Sequence, residues 1–156
     1  DVMIWALKQS DPEGWLTMPN EGWDLISRAD GPFKSALDRT KYATRYPEND
    51  WLQSREDASN ALADWNGQIR QWFFDAPTIA DFAILPFVRQ FAFIDKDWFD
   101  QQPWPNLQEW LRRFITSDRF ETIMFKTPPW CEGDHPVTQT TTGLTSADRV
   151  SSEFLL

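Results

Sequence analysis

Apolar residues recur at helical spacing along most of the chain, and the alternating pattern of a β-strand is almost absent before residue 130. The clearest stripe marks one face of a long amphipathic helix and comprises Ala58, Leu62, Trp65, Ile69 and Trp72. A second stripe, in segment 106–115, has the same spacing, and segment 79–91 has almost no polar face. A helix that is apolar all round is typical of the centre of a bundle. The pattern therefore predicts an all-α fold, a helical bundle around one buried central helix.

Prolines, glycines and capping residues divide this helical pattern. We expect the following segments: the end of a helix at 1–9, a linker at 10–19, a helical domain at 20–130 and an irregular tail at 131–156. Within the helical domain, "DGP" at 30–32 is expected to interrupt a helix, and "IDKDWFDQQPWP" at 94–105 to form a loop. Ser117 is a candidate cap for a last short helix.

The start of the central helix carries a capping signal. A buried helix begins with N–H groups that water cannot reach. We expect Thr78 to accept from the N–H of Asp81, and Asp81 to accept from the N–H of Thr78, as in a capping box. Pro77 and Phe82 flank the box and are expected to pack together as a hydrophobic staple. These residues are interpreted as structural, the alternative being Asp81 as an acid or base. Pro86, further along, predicts a kink.

Composition and charge exclude several classes of protein. The 156 residues are 41% hydrophobic and 25% charged, which is typical of a globular domain. No apolar run approaches the about 20 residues of a membrane span, and the start does not have the pattern of a signal peptide. A net charge of −9 disfavours nucleic acid as a partner. The single cysteine, Cys131, excludes an internal disulfide and suits the cytoplasm.

The segment Thr-Ile-Ala-Asp at 78–81, placed after a long amphipathic helix, resembles the C-terminal domain of cytosolic glutathione transferases. In that family a Ser/Thr-x-x-Asp box and its staple begin the central helix, and the match here falls on Thr78, Asp81, Pro77 and Phe82. Four further segments are similar to bacterial glutathione transferase-like proteins: "DPEGWL" at 11–16, "LDRTKYATRY" at 37–46, "ADFAILPFVRQF" at 80–91 and "PPW" at 128–130. The resemblance covers roughly residues 1–130 and implies the helical bundle of that domain.

The resemblance also implies a function. In the family, a thioredoxin-like lobe binds glutathione and activates its thiol, while the helical lobe supplies an apolar substrate pocket and part of a dimer interface. Residues 1–9 look like the tail of a helix from a thioredoxin-like lobe that is otherwise absent, so the chain is expected to be a truncated, substrate-binding half of the enzyme. The partners implied are a small apolar electrophile, the chain's own thioredoxin-like lobe and a second copy in a homodimer. We expect no catalytic residue here, and no glutathione conjugation by this chain alone.

Candidate site residues follow from the same resemblance, because the first long helix of the family's helical domain faces the glutathione lobe. Tyr42 and Arg45 are the candidates for lining the electrophile pocket, with Arg39 and Tyr46 behind them. Trp130 follows a rigid Pro-Pro and is a candidate lid over the cleft. Ordinary surface exposure or helix packing is the alternative for each residue.

Metal chemistry and a cysteine nucleophile are both disfavoured. Cys131, Asp134 and His135 bring three metal-ligand types onto one segment, but no second pair completes a site, so no metal is predicted. The sole histidine lies four residues from Cys131, and no third group is evident that would orient it.

Two other functions stay open. Glutathione transferase-like helical domains also occur as non-catalytic interaction modules, for example in translation factor and tRNA synthetase assemblies. An unrelated helical bundle that binds an apolar ligand is the third interpretation.

Overall fold

The computed structural model describes residues 2–48, 50–124, 126, 129–133, 138–140 and 143–145, the last two ranges through their backbone. The chain divides into two compact units, Asp1–Phe114 and Ile115–Leu156. The helices of the first unit are α1 (Val2–Gln9), α2 (Glu21–Arg28), α3 (Lys34–Lys41), α4 (Trp51–Gln68), α5 (Ile79–Ala92), α6 (Lys96–Asp100) and α7 (Pro105–Ile115), which ends at the boundary. The second unit contains helix α8 (Asp118–Ile123) and strands β1 (Thr138–Thr140) and β2 (Gly143–Thr145). The prediction of an all-α helical bundle is confirmed.

Helices α2 and α3 form one continuous helical segment, so the predicted interruption at "DGP" is wrong. A single π-helical turn, Ala29–Phe33, joins them and contains Pro32. The wider turn is visible where the N–H of Lys34 donates to the carbonyl of Ala29, five residues earlier. Because this turn accommodates the proline, Phe33 and Ala29 remain buried in the core.

Helix α4 supplies the longest buried stripe and packs against α3. Ala58, Leu62 and Trp65 are fully buried, and the ring of Trp65 lies 4.8 Å from that of Phe33. The helix ends at Gln68, where the next residue becomes extended, so the last predicted member of the stripe, Trp72, lies outside it.

Helix α5 is the central helix, but it is not buried all round. Its buried residues are Ile79, Ala80, Asp81, Ile84, Leu85, Val88, Phe91 and Ala92. Pro86 lies within the helix on its exposed side. A proline cannot donate to the carbonyl four residues earlier, that of Phe82, and an exposed side of the helix leaves such a carbonyl access to water. The predicted kink at Pro86 stays a prediction.

A short helix replaces part of the predicted loop before α7. Asp95 accepts a hydrogen bond from the N–H of Trp98 at 3.1 Å and caps α6, whose Phe99 is buried. The predicted stripe of α7 is confirmed, since Leu107, Trp110, Leu111 and Phe114 are its buried residues. In the second unit, Ser117 accepts from the N–H of Phe120 at 3.2 Å and caps α8 as predicted.

The second unit contains regular structure within the tail that was predicted to be irregular. Strands β1 and β2 pair antiparallel, with Thr138 opposite Thr145 and Thr140 opposite Gly143. The division of the chain at Phe114 differs from the predicted domain end at residue 130, and the predicted domain boundaries stay predictions. Among the residues described, no helix is both long and apolar enough to cross a membrane.

Candidate functional site

The carboxylate of Asp81 organises the start of α5. Thr78 has the extended backbone of an N-cap, and its N–H donates to Asp81 Oδ2 at 2.9 Å. The hydroxyl of Thr78 lies 3.3 Å from the same oxygen. The N–H of Asp81 donates to the carbonyl of Thr78 at 3.1 Å, and the Thr78 side chain completes the reciprocal contact of a capping box.

Asp81 also reaches two groups that the sequence pattern did not reveal. Its Oδ1 accepts from the backbone N–H of Phe73 at 3.1 Å and from the indole N–H of Trp110 at 3.0 Å. The residue is only 2% exposed, so these donors replace the water that an exposed carboxylate would bind. The carboxylate thus joins α5, α7 and the segment between α4 and α5, and its contacts support the structural interpretation over an acid or base.

The linker at 10–19 is hydrogen-bonded to, and packs against, the start of the same helix. Asp11 accepts from the N–H groups of Trp15 and Leu16, both at 2.9 Å, which shapes the turn. The carbonyl of Trp15 accepts from the N–H of Ile79 at 2.9 Å. The indole of Trp15 stacks on Phe82 with ring centroids 3.9 Å apart. Phe82 therefore packs against the linker, and its predicted staple with Pro77 stays a prediction.

Two cations lie close to the ring of Tyr42 at the end of α3. Tyr42 is half-buried and takes the C-cap position, after which a 3-10 turn, Ala43–Arg45, continues the chain. The guanidinium carbon of Arg45 lies 4.4 Å from the centre of the Tyr42 ring, and the amine of Lys41 lies 5.0 Å from it. The structure thus brings Tyr42 and Arg45 together, and adds Lys41, which the sequence analysis did not select.

Arg39 lines a groove elsewhere on the surface. The π-helical turn and α3 form one side of this groove, and helix α4 forms the other. The groove encloses about 540 Å³ and is lined by Arg28, Pro32, Phe33, Ser35, Ala36, Arg39, Asp57, Asn60, Ala61 and Asp64. Arg28 and Asp64 form an ion pair of 3.0 Å within this lining. The groove combines an apolar floor with charges of both signs, and its lining does not include Tyr42, Arg45 or Tyr46.

The two remaining candidates for the substrate site are Tyr46 and Trp130. Tyr46 is half-buried, and its N–H donates to the carbonyl of Ala43 at 3.1 Å. Trp130 is 68% exposed and belongs to the second unit. The assignment of Tyr42, Arg45, Arg39, Tyr46 and Trp130 to a substrate site stays a prediction.

The segment "CEGDH" is described only in part. Cys131 is exposed, and its thiol lies 3.9 Å from the carbonyl oxygen of Pro129, while Asp134 and His135 lie outside the described residues. Within the part of the chain that the structure describes, no group of three or more metal-binding side chains comes together.

A family model described as "Glutathione S-transferase, C-terminal domain" matches residues 24–113, more than half of the 156-residue chain. No curated protein and no solved structure matches the chain. The matched range begins in α2 and ends in α7, so it includes the capped central helix and the Tyr42 end of α3.

Proposed function

Because the chain belongs to the family of glutathione S-transferase C-terminal domains, we propose that it is the substrate-binding helical lobe of a glutathione transferase-like enzyme. In such an enzyme the thiolate of glutathione attacks an electrophile, and the protein holds the electrophile in position. The observation that carries the proposal is the family match over residues 24–113. The aromatic and cationic side chains at the end of α3 support it, since they offer a surface for an organic ligand.

Glutathione itself is assigned to a thioredoxin-like lobe. Activation of its thiol needs a group that lowers the thiol pKa through hydrogen bonding or charge. The Arg45 guanidinium carbon and the Lys41 amine lie 4.4 and 5.0 Å from the centre of the Tyr42 ring, an arrangement that suits binding and positioning of a ligand. We therefore assign no step through glutathione to the residues of this chain, and we assign it no catalytic residue.

The exposed apolar surface of helix α1 supports the proposal that a second lobe packs against this chain. The helix is apolar and contains no buried residue, and Val2 and Trp5 are 79% and 66% exposed. Exposed apolar surface of this kind marks a contact with another element. We propose that a thioredoxin-like lobe covers it, that the enzyme acts as a homodimer in the cytoplasm, and that its substrate is a small apolar electrophile.

Removal of the Tyr42 ring tests the proposal in the full-length native protein. Tyr42→Ala removes the aromatic surface and frees Arg45, so we expect KM for an aromatic electrophile to rise roughly fivefold or more, as for a lost contact of about 1 kcal/mol. The measurement is steady-state conjugation of glutathione to 1-chloro-2,4-dinitrobenzene. The matched control is Trp23→Ala, which removes a 38%-exposed aromatic side chain from α2.

Equal kinetic constants for the Tyr42 variant and the wild type would remove Tyr42 from the substrate site. Absence of glutathione-dependent turnover from the full-length protein, together with its purification in a stable complex with another protein, would instead favour a non-catalytic interaction module.

A further inference from the structure

Six Lys and Arg side chains of the first unit form ion pairs with a neighbouring carboxylate. The ion pairs are Arg28–Asp64, Lys34–Asp38, Arg55–Asp95, Lys96–Asp100, and Arg112 and Arg113 with Glu109. The hydrogen bond from Lys34 to Asp38, at 2.9 Å, raises the pKa of the Lys34 amine. Such pairing is expected in a chain with 24 acidic and 15 basic residues.

Three cations near the end of α3 lie outside these ion pairs. Arg39, Lys41 and Arg45 lie within seven positions of one another, and all three side chains are exposed. No carboxylate among the described residues lies within 4 Å of their charged nitrogens. Asp38, the acidic residue nearest to Arg39 and Lys41 in sequence, is engaged by Lys34. A cluster of unneutralised cations therefore stands on a chain whose net charge is −9.

The cations at this end are also held in place. Arg45 lies over the Tyr42 ring at 4.4 Å, and Lys41 lies beside that ring at 5.0 Å while donating to Gln90 Oε1 at 3.2 Å. A guanidinium that rests on an aromatic ring retains its N–H groups for a planar acceptor such as a carboxylate. A side chain that is ordered before binding loses less conformational entropy when the ligand arrives.

We infer that this end of α3 binds the negatively charged group of an aromatic ligand, with Arg45 and Lys41 holding a carboxylate or sulfonate beside the Tyr42 ring. This binding role rests on the proposed function and narrows its substrate class from apolar electrophiles to aromatic electrophiles that carry an anionic group. Arg39, one helical turn before Tyr42, adds positive potential and takes no direct contact in this assignment. On a chain whose net charge is −9, this cluster gives a local positive potential that attracts an anionic ligand.

A purely structural role for these cations makes a different prediction. Basic residues near a helix C-terminus stabilise the helix through its dipole. If that were their whole role, Lys41→Gln and Arg45→Gln would lower the melting temperature and leave ligand binding unchanged.

The test is a matched pair of fluorescent probes titrated into the 156-residue chain. One probe is 8-anilinonaphthalene-1-sulfonate, and the other is N-phenyl-1-naphthylamine, which has the same rings without the charge. We expect Arg45→Gln and Lys41→Gln each to weaken the sulfonate by roughly fivefold or more, as for a lost charge-assisted hydrogen bond, and to leave the uncharged probe within twofold. Arg45→Lys should restore part of the sulfonate binding. The control, Lys34→Gln, removes an already neutralised cation from the same helix and should change neither probe.

The outcomes separate the inference from the proposed function. If Tyr42→Ala weakens both probes while the charge variants affect neither, the aromatic site stands and the anion preference is overturned. If Arg45→Gln weakens both probes equally, the residue acts through packing, and the anion preference is again overturned. If neither probe binds the wild-type chain, both the inference and the proposed ligand site fail.

Discussion

At the scale of single residues, the most constrained side chain is Asp81. Its two carboxylate oxygens accept from Thr78, Phe73 and Trp110, which come from three parts of the chain. A buried carboxylate left without one of these donors would lose a charge-assisted hydrogen bond in a region that water does not reach. The residue therefore contributes both to the start of α5 and to the packing of α7 against it.

Replacement of this carboxylate should destabilise the fold strongly. In Asp81→Asn an amide nitrogen takes the place of one accepting oxygen and faces a donor, so we expect a loss of roughly 2–4 kcal/mol of unfolding free energy. The measurement is a urea titration followed by tryptophan fluorescence. Asp50→Asn is the matched control, because Asp50 caps α4 with a single bond, to the N–H of Leu52 at 2.9 Å, at an exposed position. A similar small effect for both variants would contradict a central role of Asp81.

At the scale of elements, the linker at 10–19 and helix α5 act as one packed piece. The N–H of Ile79, in the first turn of α5, donates to the carbonyl of Trp15, and the Trp15 ring stacks on Phe82. A segment interrupted by two prolines thus contributes a hydrogen-bond acceptor and an aromatic ring to the core. Stability of the helix start depends on residues more than 60 positions earlier in the chain.

Loss of the Trp15 ring should loosen this connection. Trp15→Ala removes the stack with Phe82 while the backbone acceptor remains, and we expect about 1–3 kcal/mol of destabilisation for a half-buried aromatic side chain. Thermal and urea unfolding measure the change. Trp5→Ala serves as the control, since Trp5 is 66% exposed on α1, and its variant should unfold close to the wild type. Equal stability of wild type and Trp15→Ala would contradict the packing role.

Pro86 gives a prediction of the opposite sign. Because it lies on the exposed side of α5, Pro86→Ala can restore the hydrogen bond to the Phe82 carbonyl without disturbing the core. The greater freedom of alanine in the unfolded chain offsets part of this gain. We expect a net stabilisation of roughly 1 kcal/mol, seen as a higher urea midpoint at an unchanged slope. A lower midpoint would indicate that the proline conformation itself is required in the folded helix.

At the scale of the whole molecule, two exposed surfaces of the chain are the ones proposed to bind a partner. Helix α1 is apolar without a buried residue, and the end of α3 displays cations around an aromatic ring. The proposed thioredoxin-like lobe accounts for the first surface and the proposed ligand for the second. In the proposed enzyme, the other lobe activates the thiol on which the chemical step depends.

The 156-residue chain alone should therefore not catalyse glutathione conjugation. We expect the rate of glutathione conjugation to 1-chloro-2,4-dinitrobenzene in its presence to equal the uncatalysed rate, because thiol activation is assigned outside this chain. An unrelated complete glutathione transferase in the same assay is the positive control. Glutathione-dependent turnover that rises with the concentration of the chain would overturn the assignment.

The sequence by itself determined the elements whose signals are local. The stripe of α7, the buried positions Ala58, Leu62 and Trp65 of α4 and the cap at Ser117 were predictable, because periodicity and capping depend on residues within a few positions of one another. The pattern around Thr78 and Asp81 also identified the start of the central helix before any contact was known.

Only the tertiary structure decided which distant segments form hydrogen bonds and pack together. The bonds from Phe73 and Trp110 to Asp81, and the stack of Trp15 on Phe82, join residues whose separation no periodic pattern encodes. Pro32 illustrates the same limit, since a proline that locally predicts a break was accommodated in a π-helical turn that keeps Phe33 in the core. Helix propensity is a preference of about 1–3 kcal/mol at such positions, and burial of a large aromatic side chain is of similar size, so packing can override it.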